Sequence, residues 1–194
     1  MILLSLLATL TMGQVATTQD CRQPDAAMLA LPLEEFDQTP AGWRSLDAEG
    51  CEAVGADAIA RYRVLNREAL AGQETGTLIW HEGQLRAAAG QTEAAIPLML
   101  EGRDQESDAI QPYVDASVAF LRQDREALLA ARARLVALPV PEYFARAAER
   151  YRANYPDFPP LSWPLNLNKV DGFIACFDRP YREAYSCDAE GNVE

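Results

Sequence analysis

Histidine and lysine are almost absent from this sequence: each occurs once, as His81 and Lys169, among 194 residues. A Ser-His-Asp or Cys-His nucleophile therefore has only His81 to draw on, and no serine lies in a G-x-S-x-G turn. Metal chemistry is equally short of ligands. His81 with Glu82 beside it lacks the second histidine of the zinc-protease pattern, and no Cys-x-x-Cys pair occurs. Neither G-x-x-x-x-G-K nor G-x-G-x-x-G is present, so no loop for cradling nucleotide phosphates can be read. The β-branched aliphatics are scarce as well. Val and Ile together number 15 against 33 Ala, which favours helix over pleated strand and makes the expected class all-α.

Positive charge is the next shortage. The formal net charge is −12, and the acids outnumber the bases 17 to 7 over positions 20–110 but only 12 to 10 over 111–194. That balance excludes nucleic acid as a partner, since phosphate neutralisation needs clustered Lys and Arg. One stretch runs the other way: Arg122 to Arg152 holds seven arginines against four acids, as expected of a solvated helix face.

No charge at all precedes Asp20. The apolar run from Ile2 to Met12 is too short to span a bilayer and reads as the core of a signal peptide over 1–17, cut near Gly13, Ala16 or Thr17; the alternative is an apolar helix retained in the fold. Export to a periplasm or the exterior follows from the first reading, with no stable membrane insertion after cleavage. Four cysteines in an exported chain suggest two disulfides, and local pairing, Cys21 with Cys51 and Cys176 with Cys187, would tie down both ends.

Apolar residues recur at helical spacing from Trp43 onward: Trp43, Leu46, Cys51 and Val54, then Ile59, Tyr62 and Leu65. Gly55 is expected to separate two helices, and Gly72 to Gly76 to make the next break. Leu78, Ile79, Leu85 and Ala88 mark a helix ending at Gly90, with Thr92 capping its return. Glu101 to Asp108 reads as a surface connection whose Asp108 caps a helix through Val114 and Leu121. Asp124 then starts the partner, Pro139 and Pro141 stop it, and Pro141 opens a last long helix to Tyr155. Before Trp43, Pro24 to Leu31 has room for one or two helical turns and the Pro32 to Gly42 stretch reads as irregular. The tail 156–194 is too rich in Phe, Leu and Trp for a linker and should fold back as an irregular, disulfide-pinned cap, with Pro180 opening a short helix. The helical body thus spans 20–155.

Placing Trp80 on Tyr113, 33 residues later, also places Gly83 on Ala116, Leu85 on Val118, Glu93 on Glu126 and Ala94 on Ala127. A small residue in mid-helix lets the partner helix approach closely. The stretches GQTEAAI (Gly90 to Ile96) and QDREALL (Gln123 to Leu129) resemble the inter-helix turn of tetratricopeptide repeats, whose period is close to this offset. The turn is about one residue shorter than the family's, and the aromatic openers Trp43, Trp80, Tyr113 and Tyr143 are unevenly spaced, so the repeats are degenerate. The resemblance covers Trp43 to Tyr155 and implies an array of about three antiparallel helix pairs.

It also implies a function: family members bind extended protein segments in a concave groove lined by the first helix of each pair. Carried over, the partner-binding residues are Trp80 and Tyr113, with Gln84 and Ser117 one turn further along, an aromatic and amide surface for a peptide or protein partner and no cofactor. Equally, large aromatics at helical spacing commonly serve as core. A small exported hydrolase working through paired carboxylates is the alternative, and it would require Glu82, Asp115 or Asp171 to meet another carboxylate in a closed cleft.

Overall fold

The computed structural model describes residues 20–105 and 109–193, so the expected signal peptide and Asp108 lie outside the described residues. Among those residues the secondary structure is helical, without a strand; one isolated antiparallel bridge joins Cys187 to Val193.

Asp25 opens α1 (Ala26–Leu29) by accepting the Met28 amide at 2.8 Å. A second short helix, α2 (Leu33–Gln38), forms where the prolines suggested irregular chain: Pro32, at φ −55°, precedes the helix instead of interrupting it, and Glu34 and Glu35 sit in the first turn. A 3₁₀ turn at Trp43–Leu46 leads to α3 (Glu52–Leu65). Gly55 does not divide two helices, as its composition suggested, but lies inside α3, facing Leu85 at 3.1 Å from where its Cβ would stand. Its small size serves helix packing, not a turn.

The hairpin α4 (Gly76–Ala88) with α5 (Thr92–Arg103) follows. Gly90, at φ 74°, takes the left-handed position, with its amide donating to Ala87 and the Gln91 amide to Arg86. That is a Schellman closure. It recurs 33 residues later after α6 (Gln111–Leu121): Gln123 stands at φ 56°, its amide donates to Phe120, and the Asp124 amide donates to Ala119. Asp124 caps α7 (Arg125–Val136) by accepting the Ala127 amide at 2.9 Å. Thr92, expected as the matching cap, is instead the first residue of α5, behind Gln91. Next, α8 (Phe144–Asn154) begins three residues after Pro141 and has no fully buried residue. The tail holds more helix than its five prolines and its turn-forming asparagines suggested: α9 (Leu167–Ala175), entered through Asn166 at φ 64°, and α10 (Tyr181–Ser186), entered at Pro180.

Packing runs in sequence order, α3 on α4, α4 on α5, α5 on α6 and α6 on α7, with α9 on α6 and α7 and α10 on α9 and α4. Helix α4 separates two cores. Its Leu78 and Leu85 face Phe36, Ile59 and Tyr62; its Trp80 and Ala87 face Met99, Tyr113, Phe120, Leu128 and Phe173. Both expected disulfides are present, Cys21–Cys51 fixing the chain before α1 to the start of α3 and Cys176–Cys187 fixing α10 to α9.

Candidate functional site

Trp80 and Tyr113, the two residues that the 33-residue offset pairs, are both buried. Their rings meet edge to face at 5.3 Å; Tyr113 is 2 % exposed. Ser117 is fully buried and its hydroxyl donates back to the Tyr113 carbonyl at 3.1 Å. Only Gln84 is half-buried, its amide donating to the Tyr113 hydroxyl at 3.3 Å. The four residues come together as the implied groove requires, but the rings stack on each other and have little face to offer a peptide. Hairpin packing explains it. A Cβ on Gly83 would stand 2.9 Å from Met99 Cγ and 3.3 Å from the Ala95 carbonyl, so α5 seats tightly against α4, while Trp80 packs on Tyr113 of α6.

The carboxylates singled out in the sequence each meet arginine. Glu82 lies 2.7 Å from Arg63, Asp115 lies 3.0 Å from Arg103 and 2.8 Å from Arg134, and Asp171 lies 2.5 Å from Arg132. No group of three metal-ligating side chains converges among the described residues.

What the sequence left unread is the partner of His81. Its Nδ1 lies 2.7 Å from Oδ1 of Asp37, 44 residues earlier on α2. Asp37 is 4 % exposed, and the same oxygen accepts the Trp43 indole N–H at 2.8 Å while Oδ2 accepts the Gln38 amide at 2.6 Å. Burial would raise the Asp37 pKa, but the hydrogen bond and charge of His81, with the Trp43 and Gln38 donors, outweigh it and hold the carboxyl below its ordinary value. An ionised carboxylate only accepts, so Nδ1 carries the proton in this pair. The Asp37 carbonyl also accepts from Nε of Arg44 at 2.8 Å, and the Arg44 guanidinium lies over the Trp43 ring at 4.6 Å. Asp37 thus orients four side chains. The one local signal for it is register: Leu33, Phe36 and Asp37 stand at i, i+3 and i+4, which puts the acid on the inward face of α2.

His81 and Arg44 border a cleft of about 260 Å³ between the Trp43 turn, α4 and α10. Tyr181, Tyr185 and Ser186 close it from α10, and Gln84 and Tyr185 also line a second cleft of about 220 Å³ over Trp80 and Tyr113. Arg182 reaches Glu52 in an ion pair at its margin. The Tyr181 hydroxyl is buried beside the Gln84 and Ser117 side chains. Burial, with Tyr185 alongside, pushes its pKa up far enough to keep the phenol protonated at any physiological pH.

The third surface is apolar. Of the large hydrophobic side chains that stand exposed, Leu129, Val136, Val140, Tyr143, Tyr155, Phe158 and Leu165 fall between α7 and the start of α9. Tyr151, Tyr155 and Phe158 form a continuous ladder of rings, with centroids 5.0 and 6.0 Å apart, and Arg146, Arg150 and Arg152 stand exposed on the same helix.

No protein-family model matches this chain, and no curated protein or solved structure matches it.

Proposed function

We propose that the chain is an exported, tetratricopeptide-like binding module that holds a protein partner on the aromatic ladder of α8 and the segment after it. The observation that carries the reading is the exposure of Tyr155 at 51 % and Phe158 at 63 % within that ladder, just past the end of a helix with no fully buried residue of its own. A concentration of exposed rings is how a docking surface differs from scattered apolar residues. The exposed Arg146, Arg150 and Arg152 add a basic rim to a chain of net charge −12, which selects an apolar contact surface edged with acids. The repeated closures at Gly90 and Gln123 support the repeat assignment. Two disulfides support an oxidising compartment, as does the uncharged leader over 1–17.

The test is capture from the native envelope fraction by the mature protein, compared with a Tyr155→Ser, Phe158→Ser double variant. A partner lost from the variant, and weakened by salt in the wild type, supports the reading. An unchanged set of captured proteins overturns it.

A further inference from the structure

We propose that the cleft between the Trp43 turn, α4 and α10 binds a small zwitterion of free amino-acid size. The polar groups bordering it include Arg44, Asp47, His81, Gln84, Arg182 and Tyr185. Their charges fix the class of ligand. Arg182 is neutralised by Glu52, and the Asp37 carboxylate is consumed by His81 and Trp43. What remains is one cation and one anion. Arg44 uses Nε on the Asp37 carbonyl, and its two terminal nitrogens make no protein hydrogen bond among the described residues; Asp47 is exposed and makes no ion pair among them. A planar guanidinium end with two nitrogens side by side suits a carboxylate, and a lone carboxylate suits an ammonium. A simple anion or a simple cation would satisfy one and be repelled by the other.

The positive side is held rigidly. Asp37 anchors Arg44 through its carbonyl and His81 through its side chain, so neither has to be ordered when a ligand arrives. With Nδ1 occupied, His81 has only Nε2 left for another partner.

The experiment is thermal unfolding and calorimetry of the mature chain with each of the twenty free L-amino acids, followed by the deaminated acid and the decarboxylated amine of the tightest binder. The expected result is a rise in melting temperature with a subset of the amino acids and none with either truncated analogue. Arg44→Gln and Asp47→Asn, each checked by circular dichroism, should each weaken binding by more than about tenfold. Absence of any shift across the twenty overturns the proposal. So does binding of the acid or amine alone as tight as the parent, or binding untouched in both variants. The Tyr155→Ser, Phe158→Ser variant should bind the amino acid normally, so this site and the protein-binding surface stand or fall separately.

Discussion

Asp37 and His81, 44 residues apart, meet at 2.7 Å and fasten the N-terminal segment to the face of α4. Removing the imidazole would leave a buried carboxylate with only Trp43 and Gln38 as donors. His81→Ala is expected to lower stability by about 2 kcal/mol, the cost of taking one hydrogen-bond donor from a buried acceptor that keeps two others. Urea unfolding at neutral pH measures it. A loss below about 0.5 kcal/mol would show the pair to be incidental, as surface pairs are.

The same carboxylate gives acid sensitivity a sign. Folded, Asp37 binds its proton less readily than the unfolded chain, where it titrates near 3.8. Its contribution is therefore complete above that value and is lost as pH falls through the lower folded one. Comparing urea midpoints of wild type and Asp37→Asn from about pH 6 to about pH 3 should show a smaller acid loss in the variant. Parallel curves would mean that other carboxylates govern acid unfolding.

Much of this arrangement can be read from sequence, and the failures share a cause. Periodicity locates α4, α6 and α7, and the 33-residue offset locates two equivalent turns. Both are local signals set by helix geometry. The inward turn of Trp80 and Tyr113 depends on how tightly α5 seats on α4, a tertiary matter. The Asp37–His81 pair joins elements far apart in the chain, and neither residue's neighbours announce the other. Gly55 misleads because glycine serves both turns and close packing, and only the presence of Leu85 opposite it tells which.

Two glycines inside helices should respond differently to one methyl group. At Gly102 a Cβ would stand 2.9 Å from the Gly76 carbonyl oxygen and 3.0 Å from the Trp80 amide nitrogen, both backbone. At Gly55 it would meet the end of the Leu85 side chain at 3.1 Å. Gly102→Ala should cost about 2 kcal/mol, since α4 and α5 must separate. Gly55→Ala should lie within about 1 kcal/mol of wild type, helix propensity offsetting a small rotation of Leu85. Equal effects in denaturant titrations would refute the close approach of α5 to α4.

The paired closures offer a comparison in the opposite direction. Gly90 occupies φ 74° with open space around its Cα, so Gly90→Ala costs backbone strain alone, about 1 kcal/mol. Gln123 already carries that strain at φ 56°, and its amide recovers part of it by donating to the Phe120 carbonyl at 3.1 Å. Gln123→Gly should therefore be neutral to stabilising by about 0.5 kcal/mol. A clear loss in melting temperature for Gln123→Gly would show that its side-chain bond outweighs the backbone.

The C-terminal bridge bears on the cleft as well as on stability. Cys187 directly follows α10, which supplies Tyr181 and Ser186 to one wall, and its bond to Cys176 closes a loop of 11 residues. Loop-closure entropy assigns that bond about 3 kcal/mol. Helix α10 also rests on α9 at Gly172, where a Cβ would overlap the Cys187 carbonyl, so contact with α9 persists when the bond is cut. A Cys176→Ala, Cys187→Ala double variant should therefore stay helical while melting earlier, and its amide exchange should speed up most in α10. Exchange rising equally in α4 and α5 would mean that the bridge supports the whole array, because those helices lie outside the loop that it closes.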